Sequence, residues 1–201
     1  PHRAGHERLY YPGETNLLMA DVAVINKVDT ASAGDIETVR SNIERYAPSA
    51  EIILAQSPVS VVCPDLITAQ RVLVIEDGPT LTHGGMAFGA GTIAARKCGA
   101  AQIVDVRPYA VGSIRDTFAR YPHIVGQLPA MGYGEEQIRE LQETINRTPC
   151  DLVLSATPTD ISSLLTLNKP IVRVRYEYED YGPPLLEDVL LRRLSNIGWS
   201  Q

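Results

Sequence analysis

Residues Ala20 to Ala31 read ADVAVINKVDTA, and the fold turns on how this stretch is read. Asp21 to Ile25 (DVAVI) is a short, nearly all-apolar run bounded by polar residues, the pattern of a strand buried on both faces of a parallel sheet. Asn26, Lys27 and Asp29 follow at once as an N-K-x-D sequence. A carboxylate on Asp29 can accept two hydrogen bonds, from the N1–H and the exocyclic amine of guanine. Lys27 can lay its aliphatic stem along the base, and Asn26 can tie the loop to neighbouring backbone. Adenine presents no such donor pair, and a buried carboxylate deprived of partners costs roughly 1–3 kcal/mol or more. The competing reading is an ordinary strand-to-helix turn with a polar cap.

Outward from this point the chain alternates strands and helices. Ile36, Val39, Ile43 and Tyr46 recur at spacings of three and four before Pro48, which predicts a helix over 32–46. Glu51 to Leu54 is the next strand. In P-loop GTPases a short Ala/Ser loop after that strand touches the base through backbone N–H, and Ala55, Gln56 and Ser57 can play this part. A strand or irregular crossing at 59–63 follows, then strands at 72–75, 103–106, 151–154 and 171–176. Helices fall at 88–98, 113–121, 135–147, 160–167 and 185–194. This order predicts an α/β chain with mainly parallel sheets, flanking helices and ligands at the carboxyl ends of the strands. A base-recognition half-domain is expected over 1–70 and a second α/β domain, binding phosphate or substrate, over 71–201.

Composition narrows the function classes. The chain has 201 residues, is 44% hydrophobic and carries a net charge of −6. That is enough for one large or two small cores, and it lacks the basic balance of a nucleic-acid surface. Cys63, Cys98 and Cys150 lie far apart with no CxxC spacing, which predicts reduced, mostly core-filling thiols in a cytoplasmic protein. No apolar run reaches membrane-spanning length, so neither a membrane nor a nucleic acid is an expected partner. The first residue is proline, and PHRAGHERLYYPGETN (1–16) reads like the inside of an active-site loop, so Pro1 is expected to be a truncation point.

No G-x-x-x-x-G-K-[ST] sequence is present. In GGMAFGAGT (84–92), Gly84 and Gly89 have the right spacing, but Ala90 stands where the phosphate-gripping lysine belongs, which excludes a P-loop there. EDGPTLTHGG (76–85) combines two carboxylates, two hydroxyls and His83 at a strand end. It suits a phosphorylated substrate, and equally a helix entry capped by Asp77 and Thr80. Arg173 and Arg175 share one face of VRVRYEYE by the period of two, a pattern expected of a charged edge strand, with YEYEDYG (176–182) as its solvated exit.

Several long motifs carry a resemblance: PGETN with MADVAVINKVDTA, EDGPTLTHGGM, RPYAVGSI, LPAMGY and NKPIVRVRYE. Together they resemble the C-terminal half of the cyclic 2,3-diphosphoglycerate synthetase family of P-loop NTPases. The resemblance implies an enzyme that uses ATP or GTP with Mg²⁺ to close an intramolecular phosphoanhydride in 2,3-diphosphoglycerate, with the P-loop half missing from this chain and a homo-oligomer left open. Nucleotide would activate one phosphate, and its neighbour would displace the leaving group. Positioning and charge neutralisation would supply most of the catalysis. Thr80, Thr82 and His83 are then the expected catalytic residues, and Arg3, His6, Asp77, Arg107 and Arg173 the substrate and phosphate ligands. Two other classes remain in view. One is a regulatory or metallochaperone-like GTPase with His2, His6 and Glu7 as metal ligands; the other is a non-catalytic nucleotide-binding module.

Overall fold

A computed structural model describes all residues except Tyr10, Gly84, Tyr133, Ile197 and 199–201. It is a mixed α/β structure with mainly parallel strands, and it divides into two compact units: 1–58 with 177–201, and 59–176. The expected division at 70/71 is therefore drawn elsewhere. The chain changes unit at Pro58, and its C-terminal segment returns to the first unit.

The first unit holds α1 (His6–Leu9), α2 (Gly13–Leu18), β1 (Val22–Ile25), α3 (Ala33–Tyr46) and β2 (Glu51–Gln56). β1 and β2 are parallel, with Val22 opposite Glu51 and Ile25 opposite Leu54. α3 starts where Ser32 accepts a hydrogen bond from the Asp35 N–H, a standard N-cap. Its apolar stripe brings Ile43 onto Ile25, Leu17 and Ala47 in one small core.

In the second unit come β3 (Val59–Val61), β4 (Arg71–Asp77), α4 (Gly78–Thr82), α5 (Ala90–Lys97), β5 (Gln102–Ile103) and α6 (Gly112–Arg120). They are followed by β6 (Leu128–Ala130), α7 (Glu135–Arg147), β7 (Leu152–Ala156) and β8 (Ile171–Tyr176). The sheet runs β3-β8-β7-β4-β5, with β6 also on β4. Pairing is parallel except between β3 and β8. Alternation along β4 sorts its side chains between two cores. Leu73 and Ile75 pack with Phe118, Leu141 and Ile145, whereas Val72 and Val74 pack with Ala94 and Ala95.

The first unit is then completed by β9 (Glu179–Asp180), antiparallel to β2, and α8 (Leu186–Asn196). Three sequence expectations are corrected. β8 is not an edge strand, because β3 pairs along its outer side. The segment after Tyr176 is not a mere solvated exit, since it supplies β9. The helix expected over 160–167 shrinks to one short turn, Ile161–Ser163, because α7 side chains take up the backbone that would extend it. Gln142 Oε1 accepts from the Thr166 N–H, and Asn146 Oδ1 from the Asn168 N–H. Of the three thiols, all free, Cys150 is buried in one core and Cys98 packs against the other, as expected of mostly core-filling residues, while Cys63 is exposed. Among the described residues no helix is long and apolar enough to cross a membrane.

Candidate functional site

In the first unit the N-K-x-D residues form a tied loop at the carboxyl end of β1. Asn26 Oδ1 accepts from the Lys27 N–H at 2.7 Å, and Asn26 Nδ2 donates to Ser57 Oγ at 3.2 Å. The Val28 N–H donates to the Ala55 carbonyl. Asn26 thus holds the Lys27 backbone and the Ser57 side chain. Lys27 is held at φ +63°, a left-handed conformation that a non-glycine residue adopts at a cost of order 1–3 kcal/mol. Asp29 is exposed, and its carboxylate has no hydrogen-bond partner among the described residues. The loop thus spends its structural hydrogen bonds on Asn26 and leaves the Asp29 acceptor and the Lys27 stem open.

Ala55 and Gln56 are not loop residues. They end β2 and pair with Asp180 and Glu179 of β9, which leaves Ser57 as the residue beyond the strand. Nearby, His2 Nε2 lies 3.1 Å from Thr30 Oγ1, and burial lowers the His2 pKa below its ordinary value. Arg3 is half-buried and His6 exposed on α1. Glu7 is committed: its Oε2 accepts from the Gly5 N–H and its Oε1 from Asn42 Nδ2. Among the described residues no three His, Cys, Asp or Glu side chains gather as a metal site.

In the second unit, β4 ends in Glu76 and Asp77, which point to opposite faces of the sheet. Glu76 is 1% exposed. Its Oε1 accepts from the N–H groups of Gly89 and Thr92 and from the Thr92 hydroxyl, and its Oε2 from the Gly91 N–H, all at 2.8–3.0 Å. Burial raises its pKa, and these donors pull partly the other way. The carboxylate leaves no room for a side chain at Gly89, where a Cβ would lie 2.5 Å from Glu76 Oε2. At Gly91 it would lie 2.6 Å from the Val74 side chain. This is the glycine-rich stretch that nearly matches a phosphate loop, and its first residue, Gly84, lies outside the described residues. Its helix N-terminus is already filled by the internal carboxyl group of Glu76.

Asp77 goes the other way. Its Oδ2 accepts from the Thr80 N–H at 3.3 Å and from the Thr80 hydroxyl at 2.9 Å, capping α4. The capping alternative is thus realised for these two residues. The Thr82 hydroxyl donates to the Gly78 carbonyl at 2.9 Å and lies 3.0 Å from His83 Nδ1. A hydroxyl has one hydrogen, so in the neutral ring Nδ1–H donates to Thr82 and Nε2 carries the free lone pair. Asp77, Thr82 and His83 line a cavity of about 380 Å³, with Met131 beyond β6 and Pro158 and Thr159 beyond β7.

The two arginines expected to bind phosphate here serve the protein itself. Arg107 forks onto Asp105, with Nη2 2.6 Å from Oδ2, and it holds the Asp105 carboxyl below the usual carboxylate range. Arg173 donates to the Pro158 carbonyl at 2.7 Å and lies 3.6 Å from Asp160, bracing the loop that walls the cavity. The structure brings together Asp77, Thr80, Thr82 and His83, and it leaves Arg107 and Arg173 out of the cavity lining. Sequence reasoning missed Glu76 as the occupant of the α5 N-terminus. The available signal was an acidic strand end followed by Gly89-x-Gly91-Thr92.

No family model matches the chain. Arginine synthetase ArcE of Thermococcus kodakarensis is 58% identical to it over 190 residues, 94% of this chain and 42% of that protein. Its name is that of a synthetase, as the sequence led one to expect of a relative, and the product in that name is arginine rather than a cyclic diphosphoglycerate. The chain spans about two fifths of the length of the curated relative it matches.

Proposed function

We propose that this chain is part of a nucleoside-triphosphate-dependent synthetase whose product is arginine. The observation that carries the reading is the 58% identity to a protein of that name over nearly the whole chain. The first unit would bind the purine base: Asp29 accepts from it, Lys27 covers its face, and Asn26 and Ser57 hold the loop in shape. The second unit would contribute the reaction cavity, with His83 Nε2 as the proton acceptor and Thr82 fixing its tautomer. Mg²⁺ enters only as the companion of nucleotide phosphates, since the described residues gather no metal site of their own.

A second reading, closure of a phosphoanhydride in 2,3-diphosphoglycerate, is favoured by the motif resemblance alone. Calorimetric titration of the whole polypeptide with ATP or GTP and Mg²⁺, in the presence of L-arginine or of 2,3-diphosphoglycerate, separates the two. Binding at linked sites is reciprocal, so the expected result is a nucleotide affinity that changes with L-arginine and not with 2,3-diphosphoglycerate. The opposite pattern selects the second reading. Nucleotide binding indifferent to both ligands overturns both and returns attention to a regulatory GTPase.

A further inference from the structure

The cavity at the strand ends of the second unit is poorly furnished for phosphate. None of its described lining residues is a lysine or arginine, and Arg107 and Arg173 are engaged by Asp105 and by Pro158 with Asp160. The backbone donors at the start of α5 are consumed by Glu76. What the cavity offers is acceptors. Asp77 Oδ1 has no partner among the described residues, because both Thr80 donors go to Oδ2. In the tautomer that leaves the Thr82 hydroxyl hydrogen on the Gly78 carbonyl, His83 Nε2 is a second acceptor. Pro79, Met131 and Pro158 make apolar walls against which an aliphatic stem can lie. The volume, about 380 Å³, falls within the range of small-molecule sites.

Acceptors beside one carboxylate, with no cation to neutralise a phosphate, complement a group that carries positive charge and several N–H bonds. We infer that this cavity is a binding site for a cationic nitrogen group on an aliphatic stem, a guanidinium above all, and that Asp77 is the residue that selects it. Asp77 is thus assigned to a cation rather than to a phosphate. The inference deepens the proposed function, but it rests on that reading only for the choice of L-arginine among the probes.

The test is an NMR titration of the 201-residue chain with methylguanidinium, L-arginine and inorganic phosphate. It is repeated on Asp77→Asn, which keeps the helix cap and is checked for an unchanged Tm. Both cations are expected to bind, shifting the amides of Asp77, Met131 and Thr159, and both should weaken roughly tenfold or more in Asp77→Asn. Phosphate should not move those amides. Methylguanidinium binding without L-arginine binding keeps the site and overturns arginine as the ligand. L-arginine binding untouched by Asp77→Asn overturns the site and leaves the arginine reading standing. Binding of neither cation, or binding of phosphate at these amides, overturns the inference.

Discussion

Two loops, each at the carboxyl end of a parallel strand, invite the same reading and have opposite occupancy. The glycine-rich stretch before α5 looks like an anion cradle, and its donors are filled by Glu76. The N-K-x-D loop after β1 uses Asn26 to hold its own backbone and leaves the Asp29 carboxylate without a hydrogen-bond partner among the described residues. What separates a structural loop from one open to a ligand is therefore unspent hydrogen-bonding capacity, and the motif alone does not report it.

The largest expected effect tests the filled loop. Glu76→Ala strands three N–H groups, two of them buried, and a buried hydroxyl, and should cost roughly 3–5 kcal/mol in urea denaturation. Glu76→Gln should cost about 1–3 kcal/mol. A loss below about 1 kcal/mol for the alanine variant would break the contrast. The pH dependence sharpens it. Because burial raises the folded pKa of Glu76, the folded chain keeps this proton at pH values where the unfolded chain has lost it. The resulting stabilisation is complete below the ordinary carboxylate pKa and disappears as pH rises through the raised value. Stability measured against pH should lose that fall in Glu76→Gln.

Next comes the open loop. Asp29→Asn should leave stability within about 0.5 kcal/mol of the parent, yet shift base preference in the whole polypeptide from guanine toward xanthine by roughly tenfold or more. Competition between GTP and XTP reads this directly, and an unchanged preference removes Asp29 from base recognition. A smaller pair of variants separates strain from function. Lys27 and Ala69 are the two non-glycine residues at positive φ among the described ones, at +63° and +60°. Glycine at either should gain up to about 1 kcal/mol. Only Lys27→Gly should also weaken nucleotide binding, as measured by calorimetry.

Smallest of all is Arg107→Ala. Its ion pair with Asp105 is about half exposed on both sides, so the loss should be about 0.5 kcal/mol or less. Arg107 lowers the folded pKa of Asp105, so this contribution is present above the ordinary carboxylate pKa and fades as pH falls through the lowered value. The variant should lose only that acid-side dependence.

The strands and long helices were legible because burial on both faces leaves apolar runs such as Val72–Ile75 of β4, because β1 keeps its apolar run although Val24 is exposed, and because α3 and α7 carry clean helical periods. β6 was not legible. Leu128–Ala130 is short and contains Pro129, which reads as a break, and it is tolerated because, among the described residues, β6 pairs only with β4. The turn at 161–163 was overread because Ile161 and Leu165 have helical spacing, while the competing donors and acceptors come from α7. At the site, residue type was informative and occupancy was not. Nothing in the spelling of Arg107 says that a carboxylate two residues earlier already holds it.

The return of the chain has one more consequence. The Glu177 N–H donates to the Pro58 carbonyl at 3.4 Å, and Val59 lies opposite Tyr176 in the β3–β8 pair. Everything from 59 to 176 thus enters and leaves as one antiparallel couple, in the topology of an insertion. Cut at that couple and rejoined by a short turn, β2 and β9 become a hairpin, and the excised piece keeps adjacent ends of its own. Such a piece can be grafted, permuted or exchanged between relatives as a cassette, with little loop-closure entropy at the seam.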